Sequence, residues 1–193
     1  MISLKKQLLI FIPAILLVFL FLFININNYS PLYPSYDEEE NEEEILDFVP
    51  ILSGDGILGS PQAPKTIITF EDVACTHCKE QMNIFQELVN QYPDQVKIIW
   101  KALPVIKFPN DSQLAHEYLY CSGEQDKFEQ VVTSMFERQG SLHQTGIDLI
   151  MQENNIDQNK LNECLNSGRA TDYLDKNKSI ARSIGITEVP ISL

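Results

Sequence analysis

Positive charge, histidine and cysteine are all scarce in this chain. Its 193 residues carry 14 Lys and Arg against 27 Asp and Glu, a formal net charge of −13. That balance argues against nucleic-acid binding, which needs a basic face. Three His and four Cys leave few candidates for chemistry. No glycine-rich phosphate loop is present, the Ser, Asp and His residues show no hydrolase spacing, and no internal repeat is visible. Only one CxxC occurs, Cys75-Thr76-His77-Cys78, so no second pair completes a four-ligand zinc set. The apolar share of 44% is enough for an ordinary core, and the length suits one domain with appendages.

The N-terminus reads as a membrane segment. Leu8 to Ile24 are 17 consecutive apolar residues, with Lys5 and Lys6 before them and Asn25, Asn27 and Asn28 after. This length sits at the short end for a span, and the lysines favour an inside N-terminus with the remainder outside. A cleaved signal peptide is the rival reading, but no small-x-small site follows the run. Either reading exports the rest of the chain to a compartment where disulfides persist. The expectation is a single-pass anchor over residues 1–26, inserted in the cell membrane through residues 8–24.

An acidic tether is expected over residues 27–56. Eight acidic residues lie between Asp37 and Asp47 with no base among them, and with Pro31 and Pro34 they make poor core material. Setting aside those eight acids and the two N-terminal lysines leaves −7 for the remainder. The folded domain is expected over residues 57–193, after an irregular lead-in marked by Gly54, Gly56, Gly59, Pro61 and Pro64.

Lys65 to Phe70 reads as the first strand. After the CxxC, Met82, Phe85, Leu88, Val89 and Tyr92 recur at helical spacing until Pro93, and Val96 to Lys101 alternates as a second strand. Strand–helix–strand order implies a parallel pair. Helices are expected at Asp111–Cys121, Gln125–Arg138, Gly146–Asn154, Gln158–Asn166 and Thr171–Ile184, then a break at Gly185 and a strand entered through Glu188-Val189-Pro190-Ile191.

The chemistry concentrates at Cys75 and Cys78. Two thiols two residues apart at the start of a helix can form a disulfide and give it up again. The first thiol faces the positive end of the helix dipole and unpaired N–H groups, which stabilise its thiolate. Cys121 and Cys164 each fall on an apolar helical face, so they are either buried free thiols or a disulfide. His116 lies in a helix and His143 in a loop; neither forms a persuasive site.

Four stretches together resemble the DsbA-type thiol:disulfide oxidoreductases. They are Gly59-Ser60-Pro61-Gln62-Ala63-Pro64, Phe70-Glu71-Asp72, Cys75-Thr76-His77-Cys78 and Gly185-Ile186-Thr187-Glu188-Val189-Pro190. The resemblance covers roughly Leu58 to Leu193. It implies an α/β thioredoxin-like fold with an inserted helical subdomain at about 108–184. It makes Cys75 the nucleophile and Cys78 the resolving thiol, with His77 favouring oxidation. Thr76 departs from the proline common at its position, which bears on the strength of the oxidant.

The same resemblance makes Pro190 a cis-proline beside the redox pair, although only about 5–6% of X–Pro bonds in folded proteins are cis. A cis bond there would leave the Val189 backbone able to pair with an extended substrate chain. Some family members carry a second, non-catalytic disulfide, which would join Cys121 to Cys164. The family also continues beyond Pro190 with further strands and a closing helix, whereas this chain has three more residues, so those elements are expected to be missing.

The function implied is a membrane-anchored, extracytoplasmic enzyme that forms disulfides in exported, unfolded proteins and is reoxidised by a membrane redox partner. No cofactor and no nucleic acid enter. The alternatives are a reductase or isomerase on the same fold, or a copper- or zinc-binding module using Cys75, Cys78 and His77. Adjacent His77 does not easily converge with both sulfurs on one ion, so no metal site is expected.

Overall fold

A computed structural model describes residues 18–23 and 48–193. The chain divides into two units, Met1–Glu42 and Glu43–Leu193. In the first, residues 18–23 are helical (α1) and exposed. The rest of the expected anchor, and the tether up to Asp47, lie outside the described residues. No helix among the described residues is long and apolar enough to cross a membrane.

The second unit is built on four strands, β1 (Gly56–Gly59), β2 (Lys65–Glu71), β3 (Val96–Ala102) and β4 (Ile191–Ser192), in the order β1-β3-β2-β4. β2 and β3 run parallel with Ile68 beside Ile99 and Phe70 beside Lys101. β1 and β4 are antiparallel to their neighbours. Helix α2 (Thr76–Gln91) joins β2 to β3. It contains no Gly or Pro, and Cys78, Met82, Phe85 and Val89 recur on its buried face. Tyr92, read as part of the apolar stripe, is instead the exposed C-cap. The residue before a proline avoids the helical region, so Pro93 stops the helix one position earlier.

Five helices separate β3 from β4: α3 (Gln113–Gly123), α4 (Phe128–Glu137), α5 (Gln144–Glu153), α6 (Gln158–Asn166) and α7 (Arg169–Ser183). All five match the expected segments within a few residues. α3 touches α4, α5, α6 and α7, so it is the axis of the helical block. A disulfide with a Cα–Cα distance of 5.7 Å joins Cys121 of α3 to Cys164 of α6, and both residues are buried.

Two apolar clusters sit on the sheet. The larger includes Leu58, Phe85, Ile98 and Trp100 and runs on into Leu119, Val132 and Leu174 of the helical block. The smaller gathers Phe70, Leu103, Ile180 and Ala181 on the other face. β3 is therefore covered on both sides.

The lead-in is part of this packing, contrary to its assignment to the tether and an irregular segment. Gly56–Gly59 is a strand, because Gly56 and Gly59 still present backbone to β3 and place Leu58 in the core. Before it, Asp55 is paired with Lys101 at 2.7 Å, with both side chains fully buried. Turn-forming glycines concealed a strand whose lack of side chains is a packing need. A Cβ on Gly56 would collide with the Phe128 ring.

Candidate functional site: a dithiol between a buried carboxyl and a proline loop

Cys75 is the N-cap of α2, in extended conformation, and Lys79 N donates to its carbonyl at 3.2 Å. No acidic residue occupies the first turn of α2. The N–H groups and dipole at this end therefore meet no carboxylate from the helix's own first turn. Cys75 is half-buried, Cys78 fully buried, and both are free thiols. One helical turn separates them, so the outer thiol is presented and the inner one is sheltered. Cys75 Sγ lies 3.9 Å from the Val189 carbonyl oxygen, and the Val189–Pro190 peptide bond is cis. The structure thus brings Cys75, Cys78, Val189 and Pro190 together. His77 is exposed on the first turn of α2.

Next to Cys78 sits a residue that the sequence marks only through the Phe70-Glu71-Asp72 stretch. Glu71 ends β2, is fully buried, and has its carboxyl pushed up to about 7 by burial, against hydrogen bonds with the Thr69 hydroxyl and the Cys78 thiol. Thr69 Oγ1 donates to Glu71 Oε1 at 2.7 Å. Burial, then the Glu71 charge, push the Cys78 thiol far up. The effect runs one way. The Glu71 charge makes the inner thiol harder to ionise, whereas the Cys78 hydrogen bond eases ionisation of the acid. The acid titrates near neutrality while the thiol keeps its proton.

Asp72 organises the loop in front. Its Oδ2 accepts from Val105 N and Ile106 N at 2.8 Å and from Ser112 Oγ at 2.7 Å, and its Oδ1 accepts from Ala74 N at 2.9 Å. Burial raises this carboxyl, but His116 and the backbone donors outweigh it and hold it at about 2. One carboxylate thereby ties the segment before Cys75 to the loop after β3 and to the start of α3.

His116, set aside from the sequence, is part of this assembly. It is buried in α3, 3.3 Å from Asp72 Oδ1, and Val73 N approaches its Nε2 at 3.3 Å. Its ring stacks on Trp100 at 5.5 Å. Gln139, in the turn after α4, donates through Nε2 to the Val73 and Cys75 carbonyls at 2.9 and 2.8 Å. Helical periodicity could have placed His116 on the buried face. No local signal marks Gln139, whose partners lie 64 and 66 residues away. His143 caps α5, accepting from Gly146 N at 3.3 Å, and takes no part in this site.

Among the described residues no group of three or more His, Cys, Asp or Glu is placed to hold a metal ion. What is assembled is an exposed–buried thiol pair at a helix N-terminus, a buried acid beside the inner thiol, and a carbonyl next to a cis-proline beside the outer one.

A family model described as thioredoxin matches residues 53–191, and the chain belongs to that family. The fold is shared with several solved thioredoxin-like proteins. A thioredoxin-like oxidoreductase from Silicibacter pomeroyi superposes with a TM-score of 0.66 at 21% identity, covering 73% of this chain and 80% of that one. The thiol-disulfide exchange protein alpha-DsbA2 from Wolbachia pipientis gives 0.65 at 18% identity, covering 79% of each chain. A periplasmic thioredoxin-like protein from Salmonella enterica serovar Typhimurium gives 0.61 at 19%, covering 80% of this chain and 84% of that one. A curated relative, Na(+)/H(+) antiporter NhaA 1 of Salinispora arenicola, is 25% identical over 88 residues, which are 46% of this chain and 13% of that protein.

Proposed function

We propose that the protein is a membrane-anchored, extracytoplasmic thiol:disulfide oxidoreductase that forms disulfides in exported proteins. The observation that carries this reading is the asymmetry of the redox pair: Cys75 half-exposed at the helix N-cap, Cys78 fully buried against Glu71. The apolar run from Leu8 to Ile24 supports the anchor, and the Salmonella neighbour's periplasmic setting supports the side of the membrane.

The working form carries a Cys75–Cys78 disulfide. A substrate thiolate attacks Cys75 Sγ, forming the substrate–Cys75 bond and breaking the bond to Cys78, whose sulfur leaves with the electron pair. Glu71 supplies the proton that makes Cys78 a thiol. A second substrate thiolate attacks the substrate sulfur of the mixed disulfide and expels Cys75 as thiolate at the helix N-terminus. The substrate loses two electrons to gain one disulfide, and the enzyme leaves as the dithiol. A disulfide-bearing membrane partner takes those electrons and restores the enzyme.

Substrate recognition falls to backbone: the Val189 segment beside Pro190 offers an edge on which extended chains of varied sequence can pair. His77, exposed on the first turn, favours the thiolate through its imidazole. Cys121–Cys164 is a structural bond remote from exchange.

Oxidative refolding of a reduced, disulfide-containing substrate tests the proposal. The wild-type chain accelerates recovery and Cys75→Ala does not; equal rates overturn the reading. The equilibrium with a glutathione redox series fixes the direction of transfer, an oxidant lying well to the oxidising side of thioredoxin.

A further inference from the structure

A line of hydrogen bonds runs from the surface to the buried acid beside Cys78. Gln81 of α2 donates through Nε2 to the Ser192 hydroxyl on β4. Ser192 Oγ donates to Thr69 Oγ1 on β2 at 3.2 Å, and Thr69 Oγ1 donates to Glu71 Oε1 at 2.7 Å. The Ile191 carbonyl lies 3.2 Å from the same threonine hydroxyl, but a hydroxyl has one proton and the shorter contact to the carboxyl takes it.

The strands build this line. Alternation along β2 puts Thr69 and Glu71 on one face, and the register of β2 with β4 sets Ser192 directly opposite Thr69. Exposure falls from one end to the other: Ser192 is exposed, Gln81 half-buried, and Thr69 and Glu71 fully buried.

Glu71 uses its two oxygens differently. Oε1 is held by Thr69, whereas Oε2 is buried with no hydrogen-bond partner of its own. A buried polar atom left in this way needs a reason. Oε2 is free to exchange a proton with the Cys78 thiol, the titratable group that interacts with this carboxyl. The other titratable groups nearby point elsewhere. Asp72 turns to the Ala74, Val105 and Ile106 N–H groups, Lys101 of β3 pairs with Asp55, and Cys75 Sγ meets the Val189 carbonyl. From β4 the line receives only the Ser192 hydroxyl.

We infer that Ser192 and Thr69 form a two-hydroxyl relay that carries protons between water and Glu71. The inference rests on the thiol-exchange reading above and names the route by which its buried acid regains a proton. When Cys78 leaves the disulfide as thiolate, the proton on Glu71 Oε2 moves to its sulfur. The Thr69 proton passes to Oε1, the Ser192 proton passes to Thr69, and a solvent proton replaces the one Ser192 gave. Each hydroxyl breaks one O–H bond and forms one, so one proton has entered and both hydroxyls are restored. Reoxidation runs the line outward, and one proton leaves. Gln81 acts by position, holding the Ser192 hydroxyl over Thr69.

The experiment follows reduction of the Cys75–Cys78 disulfide in the full chain by excess dithiothreitol. Samples are acid-quenched and alkylated, in mixtures of light and heavy water between pH 5 and 9, and rates are normalised to the dithiothreitol thiolate. In the wild type several hydrogens move together, so the plot of rate against deuterium fraction should bow. Ser192→Ala changes an exposed residue; it should slow reduction several-fold and bow less. Its neutral-range pH midpoint should stay at the wild-type position, because Thr69 still donates to Glu71. Thr69→Val should slow reduction at least as much, and Thr69→Ser, which keeps the hydroxyl, should return most of the rate.

A Ser192→Ala chain with the wild-type rate and an equally bowed plot overturns the relay. So does Thr69→Ser as slow as Thr69→Val, since the hydroxyl would then not be what matters. Oxidative refolding by the same samples is measured separately, so failure of the relay is distinguishable from failure of thiol exchange.

Discussion

Glu71 and Cys78 meet at the inner end of the redox pair, a carboxyl made harder to ionise by burial and a thiol made harder to ionise by burial and then by the Glu71 charge. The acid's value in the fold, about 7, lies above its ordinary 4.5. A raised carboxyl stabilises the fold below its unfolded value and loses that contribution as pH rises through its folded value. Stability should therefore decline between pH 4.5 and about 7 on this account, by up to roughly 3 kcal/mol. Glu71→Gln removes the decline: urea melts should show it more stable than wild type at pH 8 and similar at pH 4. The same variant should flatten the pH dependence of exchange near neutrality, because the proton given to Cys78 no longer comes from this group.

Asp72 has the opposite sign. Its folded value, about 2, lies below its ordinary 3.8, so its contribution is present above 3.8 and is lost as pH falls through 2. The loss is about 2 kcal/mol. Asp72→Asn should lack this acid-range slope in melts recorded from pH 5 to 2. It should also loosen the redox loop, read as faster amide exchange at Val105 and Ile106.

His116 and Gln139 hold the same loop from the helical block, and they act by position. Neither side chain hydrogen-bonds to a sulfur. His116→Ala should shift the glutathione equilibrium of the Cys75–Cys78 pair, whereas His116→Gln, which keeps a polar nitrogen toward Asp72, should restore much of it. Gln139→Ala frees the Val73 and Cys75 carbonyls and should cost about 1–3 kcal/mol in denaturant melts. A redox equilibrium unmoved by His116→Ala would limit that histidine to packing.

Much of this was legible from residue patterns because it is local. Apolar spacing marks the helices α2 to α7, and Lys65–Phe70 reads as a strand because β-branched residues fill it. The CxxC announces itself by adjacency. What escaped is what the fold assembles from afar: the Asp72–His116 contact spans 44 residues, and Asp55–Lys101 spans 46. β1 escaped for a different reason. Gly56 and Gly59 look like punctuation, but Gly56 is needed where the chain passes against Phe128.

The buried Asp55–Lys101 pair offers a sharp asymmetry. Burial pulls the Lys101 ammonium down, and Asp55 opposes it; Tyr173 donates to the same carboxylate at 3.0 Å. Asp55→Ala strands a buried lysine and should cost about 3–5 kcal/mol. Replacing both, as Asp55→Ala with Lys101→Met, should recover most of the loss. Melts of the two single variants and the double variant make the measurement, and additive losses would mean that the pair is uncoupled.

The Cys121–Cys164 bond tests whether the helical block is a separate source of stability from the redox centre. It joins cysteines 43 positions apart, and the chain-entropy estimate for that length is on the order of 4 kcal/mol at most. Both cysteines are buried between α3 and α6, so reductant reaches them only after local opening. Mild reductant should convert Cys75 and Cys78 to the dithiol while this bond survives, seen as two alkylated cysteines by mass spectrometry and four after denaturation. Cys121→Ala with Cys164→Ala should lower the midpoint of thermal unfolding and leave the glutathione equilibrium of Cys75–Cys78 unchanged. A shift in that equilibrium would mean that the bond also sets the position of α3, and through His116 the redox loop itself.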